Sequence, residues 1–271
     1  MNDPRDDVKR WLQQESAAGR SRVWYDPDAV VSEPVRPEPA RADSVEPRPS
    51  APDAAPMVEV EPAEAAPSAA APRTAAEKAA ALAALDETQV SVCTKCALSK
   101  TRTNTVFGVG NPDAGVVFVG EAPGRDEDLQ GEPFVGRAGQ LLTKILAAIG
   151  FERDDVYICN VLKCRPPDNR DPAPDEVFHC EPYLRAQLDV IQPRVICALG
   201  RISAQTLLKT KTSLTKLRAQ VHEYNGIPMV VTYHPAALLR NPNWKRPTWD
   251  DVQKLRAIYD GAPMKGFEPP A

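Results

Sequence analysis

The stretch DVYICNVLKCRPPDNRDP, residues 155–172, carries the reading from which the fold follows. An apolar, β-branched run meets an amide at Asn160, reaches a thiol at Cys164, and dissolves into prolines and charges. A short apolar run bounded by turn residues reads as a buried strand. Three more occur, GVVFVG (115–120), PRVICALG (193–200) and IPMVVTYH (227–234), and between them lie helical patterns at 136–150, 174–191 and 202–210. A last helix is expected over PTWDDVQKLRAIYD (247–260). Strand and helix alternating in this order predict an α/β three-layer sandwich, a mostly parallel four-stranded sheet with helices on both faces. Ligands in such sheets bind beyond the carboxyl ends of the strands. The segments there are GEAPGRDED, NVLKCRPP, GRISA and HPAALLRNPNWK, which places Asn160 and Cys164 on the functional rim.

The apolar residues that could build a core, 42% of the 271, are unevenly spread. Residues 26–73 are dominated by Pro, Ala and Glu, a composition that buries too little apolar surface to offset chain entropy. Residues 1–74 are therefore expected to be a disordered tail, followed by one domain over 75–265. Trp11, Trp24 and Tyr25 precede the linker; they fit a short docking segment for a protein partner, or a tail without a role. AAEKAAALAALDETQV (75–90) is a strong helix former leading into VCTKC. No run reaches the ~20 apolar residues of a membrane span, and the N-terminus has no apolar core of a signal peptide. A cytoplasmic monomer is the expectation. The net charge of −4 is misleading, because residues 1–74 hold fourteen Asp and Glu against nine Lys and Arg, leaving the rest at +1. A near-neutral domain has no global field for nucleic acid, so phosphate contacts need a local patch.

Six cysteines are present. Cys93 and Cys96 are separated by two residues, the spacing with which two thiolates hold one metal or cluster. Cys164 in a loop and Cys180 in a helix supply two further thiolates, whereas Cys159 and Cys197 sit inside strands and read as small core residues. Zinc ribbons favour two close knuckles, and dispersed thiolates suit a 4Fe-4S cluster better; a redox pair and unligated buried cysteines remain as other readings. Gly120-Glu121-Ala122-Pro123-Gly124 is a tight turn after a strand, without the Lys-Ser/Thr of a P-loop. Phe134 lies in a Gly- and Pro-flanked loop, as a core plug or a stacking platform. His234 ends the last strand. Leu238 and Leu239 follow in what reads as a surface loop, where apolar side chains can unstack bases. Lys163, Arg165, Arg170, Arg240, Lys245 and Arg246 form the basic patch.

In order along the chain, VCTKC, GEAPGRDED, PFVGRAGQLL, NVLKCRPPDNRDP…HC and YHPAALLR resemble the family-four uracil-DNA glycosylases, the iron–sulfur branch of their superfamily, over roughly residues 86–260. The resemblance implies an enzyme that flips uracil out of single- or double-stranded DNA and hydrolyses its N-glycosidic bond. It implies that Phe134 stacks on the base, that Asn160 reads its edge, and that Glu121, Ala122 and Pro123 complete the pocket. Glu127 would crowd the thymine methyl, and His234 would donate to the uracil O2. Glu121, Asn160 and His234 form the implied catalytic set. Lys163, Arg165, Leu238, Leu239 and Arg240 would contact DNA, and Cys93, Cys96, Cys164 and Cys180 would hold the cluster. An aspartate that the best-known branch carries after the residue equivalent to Glu121 is replaced here by Ala122, so water positioning falls to Glu121 or Asn160. Two other readings stand beside this one. The covalent uracil-trapping branch carries an Arg-rich insert and a glutamine after the first glycine, which this chain lacks. The other is a non-catalytic, metal-stabilised DNA-binding module.

Overall fold

A computed structural model describes residues 74–261. The expected tail, with Trp11 and Trp24, lies outside the described residues. Helix α1 (Ala75–Leu85) opens on a reciprocal cap: the Thr74 hydroxyl accepts from the Glu77 amide, and the Glu77 carboxylate accepts from the Thr74 amide. It runs on through a π-turn, Asp86–Val90, which delivers the chain to Cys93 and Cys96. There follow β1 (Val109–Gly110), β2 (Val116–Gly120), α2 (Arg125–Gln130), α3 (Arg137–Ala148), β3 (Tyr157–Asn160) and α4 (Pro174–Ile191). The chain continues with β4 (Val195–Leu199), α5 (Arg201–Leu208), α6 (Leu214–Arg218), β5 (His222–Tyr224), β6 (Ile227–Thr232), α7 (Pro235–Arg240) and α8 (Lys245–Tyr259).

The sheet has six strands in the order β1-β3-β2-β4-β6-β5, not the four expected. The four parallel strands are those read from the sequence, and an antiparallel strand is added at each edge. The edge strands are two and three residues long, too short for an alternation to show. β5 and β6 are joined at Asn225-Gly226, both with positive φ, the signature of a tight hairpin turn. The acidic residues 126–128 lie in a helix, and the loop expected after His234 is helical too.

Side-chain alternation splits the core into two layers. Val117, Val119, Cys159, Ile196, Met229 and Val231 pack with Leu82 of α1, Leu184 and Leu188 of α4, and Leu207 of α5. Val116, Phe118, Ile158, Cys197 and Val230 pack on the other face with Leu142 and Leu146 of α3 and Val252 and Leu255 of α8. Both faces of every central strand are covered, as a parallel sheet requires. Cys159 and Cys197 are fully buried, one in each layer.

Candidate active site

Gly120 and Asn160 are register partners at the ends of β2 and β3, so the sheet brings the Asn160 amide beside a residue with no side chain. A Cβ on Gly120 would lie 2.2 Å from Asn160 Oδ1 and 2.7 Å from Phe134 Cζ. Both side chains therefore occupy the space that any other residue would fill. Asn160 is 2% exposed, and its Oδ1 is buried with no hydrogen-bond partner among the described residues. An orphaned carbonyl at this depth costs stability unless a ligand supplies its donor.

Phe134 is held in a left-handed conformation at φ 55°, uncommon for an aromatic residue and typical of strained functional loops. Three contacts enforce it. Glu127 Oε1 accepts from the amides of Val135 at 3.0 Å and Gly136 at 3.1 Å. Arg153 donates to the carbonyl of Pro133. A Cβ on Gly139 would fall 1.7 Å from Phe134 O, so only glycine lets α3 start this close. The Phe134 ring lies 5.4 Å from the His234 imidazole, tilted by 30°.

His234 caps α7, its Nδ1 accepting from the Ala236 amide at 3.2 Å, which leaves Nε2 to carry the proton of a neutral ring. Burial, reinforced by the charge of Arg240, lowers its pKa to about 4, so the ring is neutral at physiological pH. Glu121 is perturbed the other way. Burial and the charge of Asp171 raise its carboxyl to about 7, against the pull of Arg201 and Arg240. Glu121, Ala122, Pro123, Glu127, Phe134, Asn160 and His234 all line one cleft of about 350 Å³, with Asp171 and Arg240 at its side. Sequence reasoning missed Asp171 and the clamp made by Glu127, since neither belongs to a pattern that spacing can reveal.

The DNA-facing set divides. Arg240 and Leu239 are exposed, Leu239 at 41%. Leu238 is 1% exposed and belongs to the core, because the segment is a helix and consecutive residues point about 100° apart. Lys163 is likewise not a phosphate contact. It is 1% exposed, and its ammonium donates to Asn160 O and Gln187 Oε1. Arg165 donates to Asn169, and Arg170 is engaged by Glu176 through two bonds of 2.9 and 2.6 Å.

Cys93, Cys96, Cys164 and Cys180 line one small space with Arg102, Lys163 and Tyr183. Hydrogen-bond donors point at the sulfurs: Arg102 Nη1 at Cys164 (3.2 Å), the Lys163 amide at Cys180 (3.1 Å) and the Tyr183 hydroxyl at Cys93 (3.2 Å). This is a donor set suited to thiolates. Among the described residues, no three His, Cys, Asp or Glu side chains are grouped so as to hold a single metal ion.

A parallel sheet whose strand ends close an amide, an aromatic ring and a neutral imidazole around one cleft defines a class, and residues 107–253 match the Uracil DNA glycosylase superfamily. The chain is 50% identical over 175 residues to the type-4 uracil-DNA glycosylase of Archaeoglobus fulgidus, covering 62% of this chain and 88% of that one. It is 47% identical to that of Thermotoga maritima, over 63% and 91% of the two chains. Similarity to the type-5 uracil-DNA glycosylase of Pyrobaculum aerophilum is lower, 34% over 56% and 74%. This chain belongs, within the superfamily, to the type-4 uracil-DNA glycosylases.

Proposed function

We propose that this protein excises uracil from DNA by hydrolysing the bond between the base and deoxyribose, with the nucleotide turned out of the stack into the cleft. The observation that carries the reading is the orphaned Oδ1 of Asn160 beside Phe134 and His234. Uracil presents an N3–H to fill that vacancy and an O4 to accept from the amide nitrogen, whereas cytosine reverses both. The Phe134 ring gives the base a stacking face. His234, neutral with Nε2–H free to donate, stabilises the charge that gathers on O2 as the bond breaks; donors in such positions are worth roughly 2.7–4 kcal/mol. Glu121, with a carboxyl pKa of about 7, suits a residue that orients water and accepts its proton. Arg165, Leu239 and Arg240 face the DNA. Glu127 sets the Phe134 loop and, because it lines the same cleft, is the residue we assign to crowd a 5-methyl group.

Cys93, Cys96, Cys164 and Cys180 are the residues that would hold a 4Fe-4S cluster. When bound, such a cluster supplies four iron–thiolate bonds that crosslink the chain. Cys164 lies four residues beyond Asn160, so anchoring it pins the loop behind the base-reading amide.

Incubation with a uracil-containing oligonucleotide followed by alkali tests the activity: scission at the uracil is expected, and an intact strand refutes the proposal. A protein–DNA adduct that survives denaturation would instead reveal covalent trapping. His234→Ala is expected to bind the DNA but cleave about 10²–10³-fold more slowly.

A further inference from the structure

Lys163 belongs to a basic stretch of sequence, yet its side chain runs inward and its ammonium is fully enclosed. Nζ donates to the backbone carbonyl of Asn160 at 2.8 Å and to Gln187 Oε1 at 2.6 Å. Gln187 is itself buried, and its amide donates to Phe107 O at 3.0 Å and to the Tyr157 hydroxyl at 3.2 Å. A polar chain thus runs through the core from β3 and α4 to the carbonyl of the residue that faces the cleft. Burying an ammonium is costly even when it is paired, and an apolar side chain of the same length would fill the space.

Much of the segment beyond Asn160 is pinned through its main chain, and the Lys163 amide is held by Cys180 Sγ. The Val161 amide donates to Gly120 O, the Leu162 amide to Glu121 O, and Lys163 O accepts from Val106. The Asn160 carbonyl is held instead by a side chain, the Lys163 Nζ, and its orientation fixes the peptide plane adjoining the Asn160 Cα. We infer that Lys163 is a positioning residue, whose ammonium, set by Gln187, orients Asn160 so that its amide meets the edge of the base. This rests on the function proposed above.

The experiment compares wild-type protein with Lys163→Met and Gln187→Met. It measures the single-turnover rate on a uracil oligonucleotide, inhibition by free uracil, and affinity for an oligonucleotide carrying an abasic-site analogue. Leaving the Asn160 carbonyl without its buried donor is expected to slow Lys163→Met about tenfold or more and to weaken uracil inhibition to a similar degree. Abasic-DNA affinity should stay near wild type, a separation that a merely stabilising lysine would not produce. Gln187→Met should show the same pattern more weakly, and the double variant should match Lys163→Met alone, as for residues acting as one unit. Wild-type protein that leaves the uracil strand intact would refute the function. Active wild type, with Lys163→Met unchanged or losing uracil and abasic-DNA affinity in parallel, would overturn the role of Lys163. If Lys163→Met fails to fold, Gln187→Met with wild-type uracil inhibition overturns it equally.

Discussion

Replacing Gly120 with alanine adds one methyl group at the point where three elements of the site converge. The new Cβ would sit 2.2 Å from Asn160 Oδ1, 2.7 Å from Phe134 Cζ and 2.8 Å from Phe134 Cε2, whereas ordinary contact begins near 3.4 Å. The amide oxygen must retreat by about 1.2 Å, the difference between those first and last distances, and the ring by more than half of that. The φ of Gly120 is not in the left-handed region, so alanine brings no backbone strain. Overpacking of this kind costs roughly 1–3 kcal/mol of stability, while a misplacement of about 1 Å at a reacting centre can cost 10²-fold in rate. Gly120→Ala should therefore stay folded, with a modestly lowered melting temperature, and lose about 100-fold in single-turnover uracil release. A rate within about threefold of wild type would show that Asn160 and Phe134 do not work from these positions.

The pH profile of the same reaction should rise between pH 6 and 8 with a midpoint near 7, since Glu121 must lose its proton to act on water and its carboxyl titrates at about 7. Glu121→Gln should flatten that limb, and an unchanged profile would remove Glu121 from the proton transfer. Leu238→Ala and Leu239→Ala should part company. The buried Leu238 should cost roughly 2–5 kcal/mol of stability. The exposed Leu239 should leave melting alone but slow release from double strands more than from single strands, because only a duplex must be unstacked. Purified anaerobically, the protein should contain iron and acid-labile sulfide in equal amounts, near four of each. Cys164→Ser should lower both; a colourless protein holding zinc would contradict the assignment.

The location of the site was legible where a residue stands at the end of a strand. Asn160 and His234 each terminate a run of buried β-branched residues, and in a parallel sheet such ends converge on one edge. The four cysteines outside the strands could be separated from the two inside by position alone. Glu127 was placed at the cleft but not as the clamp of the Phe134 loop, because a carboxylate bonding two amides eight and nine residues away leaves no periodic trace. The β5–β6 hairpin went unread, because the three-residue strand ahead of Asn225-Gly226 is too short to show an alternation.

By itself the order of residues determined the parallel core, the helices that cover it and the edge where function gathers. These depend on alternation and periodicity, which are properties of neighbours in the chain. Only the tertiary structure decided that Lys163 turns inward to hold Asn160, that Leu238 is buried while Leu239 is exposed, and that Gly120 leaves room for two side chains at once. Each of these is set by a partner far along the chain, such as Gln187 for Lys163 or Phe134 for Gly120, and charge, hydropathy or size at one position does not encode who its neighbour will be.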